Sequence, residues 1–246
     1  MKKYLFIIIF GLLFFANKSE AATFYIDSQC NTPGNGTTPT CNGDADDSYD
    51  NIDDFADVAR SAGDIAVVRR VASGSQDGTA VTFTSDGTGN NPITIEADFV
   101  NAWGDFASSS QTYTSVRGSK AMTANASITG IAAGDWIYVQ GDNSDKRECS
   151  YEVQSVSGTI LLLYFPYACN TLGSGKTLNV MPDAPIWGTF AGTNNFSMSG
   201  DYNWFFRGLD IRSSAVNCTL DVTGSFVVAK DMIIQGDDIS TCAIRS

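Results

Sequence analysis

Apolar residues recur along the last third of the chain at a spacing that neither one helix nor one sheet explains. Trp204-Phe-Phe-Arg-Gly-Leu-Asp-Ile211 is followed by Phe226-Val-Val-Ala-Lys-Asp-Met-Ile-Ile234. A shift of 23 residues sets Trp204 on Val227, Phe206 on Ala229, Leu209 on Met232 and Ile211 on Ile234. Arg207 then falls on Lys230 and Gly208 on Asp231. A strand-rich unit repeating at such a period buries its apolar face only by stacking on its neighbours, which predicts a solenoid. Upstream, Thr23 to Asp27, Ile65 to Val71, Ala80 to Thr84 and Ile93 to Glu96 read as strands between Gly, Asn and Asp turn clusters. Asp50 to Ala62 predicts an amphipathic helix. Ile52, Phe55, Ala56 and Ala59 share its apolar face, acidic residues crowd its first turns, and Gly63 follows its end.

From Phe99 to Asp183 the rhythm changes. Asn101 to Ser119 is polar and turn-rich, with Trp103 and Phe106 as isolated anchors. Trp136 to Gln140, Tyr151 to Val156 and Thr159 to Tyr164 then predict short strands with tight turns. Together they suit a small antiparallel β-barrel of about five strands, inserted where solenoids tolerate insertions. Pro185 to Gly188 re-enters the solenoid, Phe196 to Gly200 begins the next unit and Thr219 to Val222 adds a strand. Gly173-Ser-Gly-Lys-Thr177 lacks the spacing of a phosphate-binding loop.

The order of Phe24 to Asp27, a Gly/Asn/Thr loop, the helix, Ala62 to Arg69, and Gly87-Thr88 with Asn91 to Glu96 carries a resemblance, as does Asp201 to Arg212 with its Gly-Leu-x-Ile step. These stretches resemble the N-terminal cap and first coils of secreted right-handed parallel β-helix proteins, the pectate-lyase-like superfamily. The resemblance spans roughly 23–97 and 185–246 and implies a helix covering the open end of the first coil, where strand edges and an apolar stack are otherwise exposed. The fold class expected is therefore all-β: a short, helix-capped, right-handed parallel β-helix with an inserted antiparallel barrel. The expected domains are 1–21, a signal peptide; 22–98, cap and first coil; 99–183, the inserted β domain; and 184–246, further coils.

Met1-Lys-Lys-Tyr, the apolar run from Leu5 to Phe15, and small residues at Ser19 and Ala21 predict a Sec signal peptide cleaved after about Ala21. The run is too short for a typical spanning helix, so the mature chain is expected to be secreted or held at the cell surface. Six cysteines suit an oxidising destination and fall into sequence-local pairs: Cys30 with Cys41, Cys149 with Cys169, and Cys218 with Cys242. Other connectivities are open, and an unbonded stack of thiols is the alternative for the last pair.

Charge and composition narrow the chemistry. The chain carries 15 basic and 27 acidic residues and no histidine. Histidine-dependent catalysis and histidine-ligated metals are thereby excluded, and the acidic balance disfavours nucleic acid. Asp44, Asp46, Asp47, Asp50, Asp53 and Asp54 crowd one loop, a weak calcium candidate without EF-hand spacing; no other cofactor is implied. No catalytic constellation is legible. Two functions are carried forward. One is a structural, assembling or binding protein, self-associating through its C-terminal coil or meeting polysaccharide through Trp103, Trp136, Tyr164, Phe165 or Tyr167. The other is the N-terminal part of a polysaccharide lyase, for which Arg69, Arg70, Arg207, Arg212 and Lys230 are the solenoid's basic candidates. The resemblance implies that a lyase's catalytic residues lie on middle coils, beyond Ser246. A chain that continues past Ser246 and one whose open end assembles both remain as readings.

Overall fold

The computed structural model describes residues 21–70, 75–76, 81–83, 85–139, 149–182, 186–187, 196–199, 203–213, 220–223, 226–230, 233–236 and 244–245. The expected signal peptide and the Cys218–Cys242 pair lie outside these residues. Strand β1 (Thr23–Ile26) leads through a long loop to helix α1 (Ile52–Ala56). Strands β2 (Ile65–Val68), β3 (Ser75–Gln76), β4 (Val81–Thr82) and β5 (Ile93–Ala97) follow. Next come β6 (Ala107–Ser115), β7 (Ala121–Ala124), β8 (Trp136–Val139), β9 (Ser150–Ser157), β10 (Ile160–Leu163) and β11 (Leu172–Met181). The chain continues with β12 (Ile186–Trp187), β13 (Phe196–Ser199), β14 (Asn203–Arg207), β15 (Asp210–Ser213), β16 (Leu220–Thr223), β17 (Phe226–Lys230), β18 (Ile233–Gly236) and β19 (Ile244–Arg245).

Leaving β6–β11 aside, these strands form three parallel sheets, ordered β1-β2-β5-β14-β17, β3-β12-β15-β18 and β4-β13-β16-β19. From β2 onward the chain visits the three sheets in rotation, each return adding one strand to each. The 23-residue repeat is the register of this stacking. Trp204 pairs with Val227, Phe206 with Ala229 and Arg207 with Lys230, while Ile211 pairs with Ile234. The ladders also close across the long interruption after β5, since β14 pairs with β5 and β12 with β3.

Alternation decides which residues fill the interior. Ile93 and Ile95 on β5 and Trp204 and Phe206 on β14 are buried, and the register stacks Ile93 under Trp204 and Ile95 under Phe206. Phe83 meets the Trp204 ring edge-on at 4.6 Å and Phe55 meets it at 6.2 Å. The Trp204 indole N–H donates to the Ser85 carbonyl at 3.0 Å, so its one polar atom is satisfied inside the core. Truncating such a residue to Ala costs about 3–5 kcal/mol.

Helix α1 is much shorter than the pattern predicts, and Ala59 is exposed rather than buried. Asn51 caps it by accepting from the Asp54 N–H, and Ile52, Phe55 and Ala56 pack into the same core. The Phe55 carbonyl, which an Ala59 amide would take in a longer helix, instead accepts from Arg60 Nε at 2.8 Å, and the Arg60 N–H donates to Ser85 Oγ. Like charges at Asp50, Asp53, Asp54 and Asp57, three and four residues apart, also oppose extension.

The insertion is a closed antiparallel barrel of order β10-β7-β6-β11-β8-β9, one strand more than the pattern suggests. Its interior holds Tyr113, Met122, Ile137, Val139, Val153, Leu161, Leu163, Tyr167 and Leu178. Strand β6 occupies a stretch that reads as turns because its inward positions are largely polar. Ser109, Gln111 and Ser115 are buried beside Tyr113. Ser109 Oγ accepts from the Leu178 N–H and donates to the Gln111 carbonyl, and Gln111 Nε2 donates to Thr129 Oγ1. The glycine-rich 173–177 segment is part of β11, its partner in the barrel. Cys149 bonds Cys169, with Cα atoms 5.9 Å apart, and closes a loop of 20 residues; by chain entropy this stabilises the barrel by about 3 kcal/mol. Cys30 and Cys41 bond across the N-terminal loop, with Cα atoms 5.3 Å apart.

One buried side chain straps the barrel to the sheets. Arg70 donates from Nε to the Asp98 carbonyl at 2.9 Å and from Nη1 to the Pro182 carbonyl at 3.3 Å. It therefore holds together the segments leading into and out of the insertion. Phe99 lies beneath, 4.8 Å from the Arg70 guanidinium and 5.4 Å from that of buried Arg207. Gly208, at φ +67°, lets the chain pass this ring; an added Cβ would lie 2.6 Å from Phe99 Cζ. Phe106, Trp136, Tyr138 and Met181 from the barrel join the core of the sheets.

Candidate functional site

The basic residues proposed for lyase chemistry are committed to the fold wherever their side chains are described. Arg69 donates from Nη1 to Asp27 at 2.7 Å and from Nε and Nη2 to the two oxygens of Asp105 at 2.7 and 3.1 Å. The Asp105 hydrogen bonds, with Asp27 adding to them, raise its pKa further against the opposing effect of burial. Arg70 donates from Nε and Nη1 to main-chain carbonyls, and Arg207 is buried against Phe99 rather than lining a groove. The side chains of Arg212 and Lys230 lie outside the described residues.

The acidic loop does not gather its carboxylates. Asp47 is buried and accepts from Thr40 Oγ1 and from the N–H groups of Asn42, Gly43 and Asp44. The Thr40 hydrogen bond, helped by the three amides and opposed by burial, holds its pKa below the ordinary value. It is thus the loop's internal acceptor. Asp50 and Asp54 are bridged by the Asn51 amide. Burial, the hydrogen bond with Asp50 and the charges of Asp50, Asp53 and Asp57 push Asp54 up to about 6. Among the described residues no group of three or more His, Cys, Asp or Glu side chains could hold a metal ion, and no helix is long and apolar enough to cross a membrane.

The aromatic candidates separate. Tyr167 is buried in the barrel, and Trp136 is half-buried between the barrel and the sheets under Arg70. Trp103 packs edge-on to Tyr25 at 5.7 Å. Tyr164 and Phe165 face outward, 43% and 72% exposed.

These two ride on a short excursion after β10 that is fastened at both ends. The Leu163 N–H donates to the Lys120 carbonyl and the Tyr167 N–H to the Ser119 carbonyl, each at 2.8 Å, so residues 164–166 arch between them. The Tyr164 N–H bonds the Glu152 carbonyl on β9, and Pro166 limits the arch further. The facing 116–119 segment is a turn, with the Ser119 N–H donating to the Val116 carbonyl and Gly118 at φ +87°. On this side of the barrel Val116, Ile160, Leu162, Tyr164 and Phe165 are all exposed; the other large exposed apolar residues among those described are Val58 and Val100. Burial pushes the pKa of the half-exposed Glu152 carboxyl up.

Sequence reasoning named Tyr164 and Phe165 but missed Val116, Ile160 and Leu162. In the run Thr159 to Phe165 every position from Ile160 is apolar, so the outward-facing half of the strand carries no distinguishing signal. Arg117 sits in the polar stretch read as turns, and Lys120 directly follows it.

No family model matches the chain, and no curated protein matches it. Among solved structures, the tailspike gp61 of Pseudomonas phage phi297 is similar at TM-score 0.30 and 12% identity, over 70% of this chain and 37% of that one. The gp54 tailspike of Acinetobacter baumannii bacteriophage AP22, solved in complex with A. baumannii capsular saccharide, gives TM-score 0.28 and 15% identity over 74% of this chain and 40% of that one. The tailspike gp49 of Pseudomonas phage LKA1 gives 0.27 and 12%, over 70% and 26%. The chain thus spans less than half the length of the structures it matches.

Proposed function

We propose that the protein is a glycan-binding protein of the extracellular space or a surface, exported by its N-terminal apolar segment. In this reading the three parallel sheets are coils of a right-handed parallel β-helix serving as a support, and the barrel presents the binding surface. The observation that carries it is the exposed Tyr164–Phe165 pair, held on an arch whose ends are hydrogen-bonded and continued by exposed Leu162, Ile160 and Val116. Aromatic faces stack on the C–H faces of sugar rings, and a platform ordered before binding loses little conformational entropy on contact. Glu152 beside it supplies an acceptor for sugar hydroxyls. Two disulfides fit an oxidising compartment.

The test is binding of the purified protein to an array of neutral and charged glycans, with Phe165→Ala and Tyr164→Ala as variants. Each is expected to keep the wild-type circular dichroism and melting temperature, because neither side chain is in a core. Each should weaken glycan binding by about tenfold or more, as central aromatic anchors do. Glycan binding undiminished in both variants, or no binding to any glycan, would overturn the proposal.

A further inference from the structure

We infer that the glycan taken by this surface is anionic, its acid group meeting Arg117 and Lys120; the inference rests on the glycan-binding reading of the Tyr164–Phe165 arch. The chain as a whole repels anions, so an anionic ligand needs a local exception. The barrel provides one. Residues 99–183 hold five basic and seven acidic residues, against seven and nineteen in the rest of the chain after residue 21. Among the described side chains every exposed basic one, Arg117, Lys120 and Lys176, is on the barrel.

Elsewhere the described cations are spoken for. Arg60 lies 4.2 Å from the Phe24 ring and donates to the Phe55 carbonyl, Arg69 is doubly ion-paired, and Arg70 and Arg207 are buried. Arg117 and Lys120 make no ion pair among the described residues. Both belong to the segment that anchors the aromatic arch. The Lys120 carbonyl accepts from Leu163, and the Arg117 N–H donates to Thr171 Oγ1 at 3.2 Å, which fixes the backbone from which the guanidinium projects.

A basic pair that makes no ion pair among the described residues, on a turn bonded to an exposed aromatic arch, matches a sugar carrying a carboxylate. The ring stacks while guanidinium and ammonium meet the acid, a charge-assisted contact that neutral sugars cannot make.

The experiment titrates wild type, an Arg117→Ala/Lys120→Ala double variant and Phe165→Ala with polygalacturonate, alginate and hyaluronan, and with the methyl ester of each. Esterification keeps the rings and removes the charge. At least one acid form should bind wild type about tenfold or more tighter than its ester, a difference of one charge-assisted contact, and more weakly as salt rises. The double variant should lower the acid form to the level of the ester, and Phe165→Ala should weaken both. Equal binding of acid and ester, insensitive to the double variant yet weakened by Phe165→Ala, would overturn the anionic preference and leave the glycan reading standing. Binding of none of the six polymers to wild type would overturn the anionic preference, and the glycan reading falls with it only if the wider array of neutral and charged glycans is also unbound.

Discussion

Arg70 makes the sharpest test of how the barrel is joined to the sheets. Replacing it with Ala removes two charge-assisted hydrogen bonds, to the carbonyls of Asp98 and Pro182, and strips a cation from the Phe99 ring. Hydrogen bonds to charged groups contribute about 1.5–3 kcal/mol each, and breaking one side of a buried ionic arrangement costs about 3–5 kcal/mol, so the expected loss is about 3–5 kcal/mol. For a chain of this size about 1 kcal/mol moves Tm by 2–4 °C, which places the variant roughly 6–20 °C below wild type. The deficit should depend on pH. Burial raises the Asp98 pKa, opposed by the amides of Val100, Ala102 and Asn101 and by the Arg70 charge. A carboxyl raised in the folded state gives stability that is fully present below its unfolded pKa and lost as pH rises through its folded one. Without Arg70 that rise is larger, so the variant should fall further behind wild type at neutral pH than in acid. Thermal melts of both proteins between pH 4 and 8 measure this. A Tm within 2 °C of wild type, or a deficit that shrinks as pH rises, would refute the strapping role. Arg70→Lys, which keeps the charge but loses the fork, should fall between the two.

Further outcomes follow from the same geometry. Gly208→Ala should lose about 2–4 kcal/mol by denaturant unfolding, from a side chain at positive φ and a Cβ driven into Phe99; Phe99→Ala should share part of that loss, so that the double variant is less than additive. Asp54, raised from 3.8 to about 6 in the folded state, contributes stability below pH 3.8 that is lost as pH rises through 6. Asp54→Asn should therefore equal wild type near pH 4 and exceed it at pH 8, by less than about 1 kcal/mol because solvent screens the group; equal differences at both pH values would contradict the shift. A Cys149→Ser/Cys169→Ser variant should lower barrel stability by about 3 kcal/mol, read by guanidinium titration of the non-reduced proteins.

The stacking register was legible because a ladder of parallel strands demands the same residue class at the same height in each layer. Trp204 over Val227 and Phe206 over Ala229 advertise their pairing without any structure. The barrel was legible in its apolar strands β8, β9 and β10 and illegible in β6 and β11. On β6 the inward positions are largely polar, and Ser109 finds its partner far along the chain, at the Leu178 N–H of β11. Helix length failed for a local reason: Arg60 takes the Phe55 carbonyl that a continuing helix needs. The candidate surface was half-read. Periodicity says that alternate residues of a strand face apart, but in Ile160 to Leu163 both faces are apolar, and only the barrel's closure decides that Ile160 and Leu162 stay outside.

The ladders that close across the insertion also constrain the order in which the chain can fold. Strand β14 cannot add to β5, nor β12 to β3, until everything between Ala97 and Ile186 has drawn its ends together. For an unstructured loop of that length the entropic cost of closure is paid before any ladder hydrogen bond forms. The barrel's own contacts are nearer in sequence, so its early closure would shorten the gap to the few residues spanned by Arg70. Its strands then act as a folding template for the layers that follow, and a barrel made slow to form should slow the assembly of sheets it does not belong to.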